Sequence, residues 1–186
     1  GFIVSSGIKK GIEKVTRYFM PILFIILLGL VIWATTLSGA LEGYKTFLFK
    51  FDFAELRNPQ TIRNAFTQAF FSLSLGIGIM VTYASYLNKK SNLPKLSISV
   101  ASLDTLVGLM AGLITFPIVL TFGLSEAISE STVGALFISI PTGLGSYGAA
   151  GRIVAVAFFA LAYIAAITSS VSLLEVPVSS LMDQFG

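Results

Sequence analysis

The sequence predicts an all-α, polytopic membrane protein, and two observations point to this class. Of its 186 residues, 55% are hydrophobic and only 11% are charged, whereas soluble domains usually carry about 25% charged residues. Apolar runs of about 20 residues recur along the chain, separated by glycine, proline and clusters of charge. These runs lack the alternation of outer-membrane β-strands. We therefore expect four transmembrane helices, one of them broken at mid-membrane.

The composition also limits the chemistry of the chain. It contains no cysteine and no histidine, which excludes disulfides, cysteine or histidine metal sites, and catalysis by either side chain. An enzyme is therefore not expected. The formal net charge of +3 is small and divided among loops, which indicates membrane orientation and predicts no nucleic-acid partner. The chain begins without methionine and stops after a membrane-length helix, so we expect a fragment of a longer protein.

The first span is predicted over residues 18–38. Cations precede it, at Lys9, Lys10, Lys14 and Arg17. This excess places the N-terminal side in the cytoplasm under the positive-inside rule. Gly11 and Pro21 bracket the inner end of the span, which is expected to loosen because proline removes a backbone donor and clashes with the preceding turn. An outer segment follows over 39–61, and its aromatic residues favour short helical pieces in the membrane interface.

The second span is predicted over residues 62–87, and it organises the chain. Its middle is rich in small residues, namely Ser72, Ser74, Gly76 and Gly78. Each glycine inside a helix costs roughly 1 kcal/mol relative to alanine, and backbone that leaves a helix at mid-membrane must be buried in protein or line a wet cavity. We predict a helix broken at a binding site. Glycines that only permit close helix packing are the alternative.

A loop at 88–96 contains Lys89, Lys90 and Lys95 but no acid, so it is predicted to be cytoplasmic. The third span is predicted over 97–122, and the following outer segment, 123–152, is predicted to contain a re-entrant or capping hairpin. The last span, 153–182, is long enough that it must tilt or protrude. Four spans place both ends of the segment in the cytoplasm.

Asp104 lies inside the third predicted span, where a carboxylate costs about 2.5–3.5 kcal/mol on insertion scales. No lysine or arginine in the predicted spans lies at a similar depth. The sequence therefore leaves a bound ion, a proton, or a partner on a helix outside this chain. The alternative is that Asp104, which follows Lys95 closely, reaches interfacial water.

Small and polar residues spaced three or four apart share one face of the last span, and they are Ala165, Thr168, Ser172, Glu175, Ser179 and Asp183. Thr168 and Ser169 offer two neighbouring hydroxyl oxygens, and a helix loosened there would add the Ala165 carbonyl. Neutral oxygens in this number suit Na⁺. Hydroxyls that only support helix packing are the alternative.

Three stretches resemble the neurotransmitter:sodium symporter family, especially its bacterial amino-acid transporters. They are FFSLSLGIGIMVTYASYL at 70–87, ITSSVSLLEVP at 167–177 and GIEKVTRYFMP at 11–21. The resemblance covers nearly the whole chain and implies that residues 1–186 are helices five to eight of a core of two inverted repeats. It implies sodium-coupled symport of an amino acid or related small amine by alternating access, in the cell membrane. The implied partners are the substrate, the lipid bilayer and the remaining helices of the same transporter.

The resemblance also implies roles for single residues. Substrate contacts are expected at Phe71, Ser74, Ile77, Ser169 and Leu173, with freed backbone carbonyls of 71–74 facing the substrate amine. Sodium ligands are expected at Ser72, Asp104, Ala165, Thr168 and Ser169. Gating residues are expected at Gln68, Tyr86, Glu175 and Asp183. Hinges are expected at Gly76, Gly78, Gly11 and Pro21, the last two matching the family's glycine-x9-proline motif.

Asp104 departs from the family pattern, which commonly has asparagine at the corresponding sodium ligand. Its charge is expected to replace chloride, whose neighbouring position is Gly108 here, so chloride is expected not to be required. Two rival functions stay open from the residues alone. One is a non-transporting membrane assembly or accessory subunit, which would show no ion dependence. The other is an intramembrane hydrolase, although the sequence has no recognisable nucleophile and base pair.

Overall fold

All regular structure in the described part of the chain is helical. The computed structural model describes residues 13–50, 52–88, 90–125, 137 and 140–185. The α-helices are α1 (Glu13–Ala34), α2 (Ala40–Phe49), α3 (Pro59–Ser72), α4 (Ile79–Ser85), α5 (Leu93–Phe122), α6 (Ile140–Gly145) and α7 (Gly148–Phe185). A 3-10 helix, Glu55–Arg57, lies between α2 and α3. The predicted all-α class is confirmed for these residues.

Three helical segments are long and apolar enough to cross a membrane, and they are Thr16–Ala34, Leu93–Phe122 and Gly148–Met182. The second predicted span, 62–87, consists instead of two shorter helices, α3 and α4, with an interruption between them. The fourth crossing and the inverted-repeat arrangement therefore stay predictions. The short helical pieces expected within 39–61 are α2 and the 3-10 helix.

The first helix is continuous through Pro21 and ends at Ala34, before the predicted end of the first span. Thr35 and Thr36 close it, because each hydroxyl donates to a backbone carbonyl one turn earlier at 2.7 Å. Loosening at Pro21 stays a prediction, and Gly11 lies outside the described residues. Most of the hairpin predicted within 123–152 also lies outside them.

The described residues form two compact units. The first unit contains residues 13–19, 52–107 and 166–185, and the second contains those of 20–50 and 108–165. The core of the second unit is apolar and includes Leu27, Leu30, Ala34, Ile114, Ile118 and Leu144. The first unit buries Ile79 and also the carboxylate side chain of Glu175.

Within the second unit, α2 lies against the C-terminal half of α5 through two glycines one turn apart. The backbone N–H of Gly39 donates to the Thr121 hydroxyl at 3.0 Å. A Cβ atom added at Gly43 would lie 2.7 Å from the backbone nitrogen of Pro117. The contact is thus backbone against backbone, a distance that only glycine permits.

Aromatic side chains extend this contact. Phe47 stacks on Phe116, with 4.8 Å between the ring centroids, and it covers Gly112, where an added Cβ would clash with the Phe47 ring.

The Tyr44 hydroxyl is buried without a hydrogen-bond partner among the described residues. Burial raises the pKa of Tyr44, which keeps the phenol neutral.

Replacing Gly43 by alanine is expected to destabilise the full-length protein by about 1–3 kcal/mol, the usual cost of overpacking. The nearest atoms belong to the Pro117 backbone and cannot turn away as a side chain would. Gly29→Ala is the matched control, because an added Cβ there meets no described atom within 4 Å. Thermal unfolding in detergent measures both variants. Equal melting temperatures for the two would contradict the close contact.

Candidate functional site

The helix break between α3 and α4 is the centre of the candidate site, and specific residues define where each helix begins. The Asn58 side chain accepts a hydrogen bond from the Gln60 N–H at 3.0 Å, and Pro59 takes the first helical position of α3. Gly78 precedes α4 in the left-handed conformation, with φ of 81°. Residues 73–78 between the helices have no helical structure.

The end of α3 is a Schellman motif, which normally has glycine in its left-handed position. The Leu75 N–H donates to the Phe70 carbonyl at 3.0 Å, and the Ser74 N–H donates to the Phe71 carbonyl at 3.1 Å. The left-handed residue is Ser74, with φ of 55°. This conformation costs an L-residue roughly 1–2 kcal/mol. Strain of this kind often accompanies function, and Ser74 is a predicted substrate contact.

The same geometry separates the two predicted hinges. Gly78 needs glycine, because its φ is left-handed, whereas Gly76 does not have positive φ and an added Cβ there meets no described atom within 4 Å. The motif also uses the Phe70 and Phe71 carbonyls. Within the break, the carbonyls of 72–77 accept from no backbone N–H of the described residues. A role of the carbonyls of 71–74 toward the substrate amine stays a prediction.

Ser74→Gly is expected to raise the thermal stability of the full-length protein and to lower its affinity for substrate. Glycine removes the strain of roughly 1–2 kcal/mol, but it also removes the hydroxyl. Gly78→Ala is the opposite test, because it introduces the same strain at a left-handed position. Melting temperature and substrate binding are measured together. A destabilised Ser74→Gly variant, or one with full substrate affinity, would contradict the interpretation of the strain.

Two predicted sodium ligands meet beside the break. Ser72 Oγ donates to Asp104 Oδ1 at 2.6 Å, which joins the last residue of α3 to α5. A hydrogen bond from a hydroxyl to an ionised carboxylate is roughly twice as strong as a hydrogen bond between two neutral groups. The partner that Asp104 requires is therefore a hydroxyl group from the break. A cation between the two oxygens would break this hydrogen bond, with the hydroxyl proton turned away and both oxygens available as ligands.

The other predicted sodium ligands lie on α7. This helix is continuous from Gly148 to Phe185, so the loosening envisaged at Thr168 is not seen. Ala165 and Thr168 lie one turn apart on one face of the helix, and the side chain of Ser169 is exposed. Coordination of Na⁺ by these residues stays a prediction.

The predicted gating residues Tyr86 and Glu175 are in contact. Tyr86 Oη donates to Glu175 Oε1 at 2.8 Å. The Glu175 side chain is only 4% exposed, and a buried carboxylate without hydrogen-bond partners is strongly disfavoured. The Tyr86 hydroxyl therefore stabilises the buried acid and links the end of α4 to α7.

A second hydroxyl contact links the same two helices, and the sequence analysis missed it. Tyr83 Oη donates to Ser172 Oγ at 2.9 Å. Tyr83 lies on α4, and Tyr86, three residues later, is its C-cap. Ser172 and Glu175 have the same spacing on α7. Such pairs share a helix face, so this matching spacing was a signal available in the sequence.

Three further predicted site residues have exposed side chains. Phe71, Ile77 and Leu173 are 78%, 50% and 51% exposed, which leaves apolar surface for a substrate or for other helices. Gln68 lies on α3 one turn before Ser72, and the side chain of Asp183 is outside the described part of the structure. Apart from Ala165 and Pro21, every described residue predicted for the site lies in the first unit.

Comparisons with known proteins agree on one family. The sequence model of the sodium:neurotransmitter symporter family matches residues 2–186. An uncharacterized sodium-dependent transporter of Haemophilus influenzae is 40% identical over 98% of this chain, and one of Bacillus subtilis is 39% identical over 96%. The sodium-dependent nutrient amino acid transporter 1 of Drosophila ananassae is 32% identical over 98% of this chain. The chain spans 38% of the length of the two bacterial relatives and 29% of the Drosophila protein.

Proposed function

Because this chain belongs to the sodium:neurotransmitter symporter family, we propose that the full-length protein couples Na⁺ movement to uptake of an amino acid or related small amine. Family membership and three membrane-length helices make the chain part of a multi-pass membrane protein. The names of the three relatives support sodium-dependent transport, and the Drosophila name supports an amino acid as substrate. A non-transporting subunit is not favoured by these names.

The observation on which the proposal rests is the hydrogen bond between Ser72 and Asp104 at a helix break. Broken helices supply backbone and side-chain oxygens at membrane depth, where ions and substrates bind in transporters of this type. We assign one Na⁺ to Ser72 and Asp104. A second Na⁺ would bind the Ala165 carbonyl and the hydroxyls of Thr168 and Ser169.

The substrate would bind along the interruption. Its ammonium group would meet the carbonyls of 72–74, which have no backbone donor among the described residues. The exposed side chains of Phe71, Ile77 and Leu173 would contact its apolar part. Transport would proceed by alternating access, in which one helical bundle rocks against the rest of the full-length transporter and opens the site to each side in turn.

Uptake by the full-length protein in liposomes tests the proposal. Labelled amino acids should accumulate when Na⁺ is supplied outside and should not accumulate when K⁺ replaces it. Empty liposomes provide the control for leakage. Equal uptake in K⁺ would contradict sodium coupling, and no uptake of any amino acid or small amine in either salt would favour the accessory subunit.

A further inference from the structure

We propose that Tyr83 is a positioning residue that couples the predicted sodium ligands Thr168 and Ser169 to α4, the helix that follows the break. The inference rests on the proposed function and adds a residue that neither the sequence pattern nor the family resemblance singled out. It concerns contacts within the first unit only.

The hydrogen bonds run in one direction from α4 to α7. Ser172 Oγ donates to the Thr168 carbonyl at 3.1 Å, so its single proton is committed. It therefore accepts the bond from Tyr83 Oη at 2.9 Å. The result is a chain from the Tyr83 hydroxyl through the Ser172 hydroxyl to the Thr168 backbone, in which each bond polarises the next.

This series of hydrogen bonds ends on the backbone of Thr168, a predicted sodium ligand. A serine that bonds the carbonyl four residues earlier shapes its helix turn locally. Tyr83 attaches that turn to α4, whose first turn follows Gly78 and the break. A shift of the Thr168 turn on Na⁺ binding would move α4, and a shift at the break on substrate binding would act back on the turn.

The neighbouring contact gives α4 a different attachment. Tyr86 bonds the Glu175 carboxylate, which lies one helical turn beyond Ser172 and away from Thr168. Loss of the Tyr86 bond would loosen the end of α4 and leave a buried acid, whereas loss of the Tyr83 bond would release the sodium-binding turn itself. The two tyrosines therefore have separable effects on Na⁺ dependence.

Tyr83→Phe in the full-length protein tests the proposal, because it removes only the hydroxyl. We expect the Na⁺ concentration for half-maximal uptake to rise about two- to tenfold, as one net neutral hydrogen bond is lost. The substrate KM at saturating Na⁺ should stay close to wild type, since substrate contacts are retained. Ser172→Ala should give the same shift, the double variant no further shift, and Ser172→Thr should retain the wild-type value.

Ser170→Ala is the matched control. Its hydroxyl donates to the Ala166 carbonyl at 2.7 Å, so the same type of bond is removed from an exposed side chain on the same helix. Its Na⁺ dependence should be that of wild type.

Each outcome decides a different question. A Tyr83→Phe variant with unchanged Na⁺ half-saturation, or with reduced maximal uptake alone, would overturn the positioning role. If that variant does not fold, Ser172→Ala gives the decision by the same criterion. Wild-type uptake that does not need Na⁺ would overturn the proposed function itself and with it the coupling.

Discussion

Replacing Thr168 and Ser169 together by alanine in the full-length protein is expected to raise the Na⁺ concentration for half-maximal uptake by more than about tenfold. If each coordinating hydroxyl contributes as much as a hydrogen bond to a charged group, about 1.5–3 kcal/mol, the loss of both exceeds the 1.4 kcal/mol that corresponds to a factor of ten. The Ala165 carbonyl would then be the proposed ligand of this ion that the variant retains. Uptake measured against Na⁺ concentration reports the effect, and substrate affinity should recover in part at saturating Na⁺.

A matched pair of hydroxyls controls for the loss of local hydrogen bonds. Ser97 and Ser99 are exposed on α5, and each donates to a carbonyl four residues earlier, at 3.0 and 2.9 Å. The double alanine variant at these positions should titrate with Na⁺ as wild type does. If the Thr168 and Ser169 variant has the same Na⁺ dependence as wild type, the hydroxyls at these positions serve helix packing and the second sodium site is wrong.

Asp104→Asn should abolish transport in chloride-free buffer, with uptake reduced at least about tenfold, because one unit of charge at membrane depth is worth several kcal/mol. Asparagine keeps the side-chain shape and one oxygen, so the Ser72 hydroxyl retains an acceptor. Wild-type uptake should be the same in chloride and in gluconate. Added chloride should restore the variant in part if an anion can bind near Gly108.

Ser72→Ala separates the hydroxyl from the charge at this site. It should weaken Na⁺ binding but leave uptake independent of chloride, because the Asp104 side chain is retained. If wild-type uptake requires chloride, the proposal that the charge of Asp104 replaces that of chloride is contradicted. An asparagine variant that transports normally in gluconate would also contradict it, and Asp104 would then be an interfacial carboxylate worth about 0–1 kcal/mol.

The position of the helix break could be predicted from the sequence, but its geometry could not. Serines and glycines between 72 and 78 lower helix stability locally, and this signal is visible in composition. Which residue turns left-handed depends on the hydrogen bonds that close α3. Glycine at 76 suggested a hinge, yet the structure has the positive φ values at Ser74 and Gly78.

The candidate site was predictable in its residue types and not in its pairings. Asp104 can be singled out from the sequence because it is the one acidic residue in an apolar run. Its hydrogen bond to Ser72 joins residues that are 32 positions apart, and no local sequence pattern predicts a contact over that separation. Tyr83 and Ser172 are 89 residues apart, and the only sequence signal for their pairing is the three-residue spacing that Tyr83 and Tyr86 share with Ser172 and Glu175. The burial of Glu175 was likewise invisible, because a glutamate on a polar helix face normally reaches water.

The contact of Gly39 with Thr121 has a consequence for how the protein is made. These residues are 82 positions apart, and a ribosome adds about 5–20 residues per second. The binding surface for α2 on α5 therefore does not exist until about 4–16 s after Gly39 has been synthesised. During that interval α2 lacks this partner, so the packing of the second unit is completed only after α5 has been synthesised.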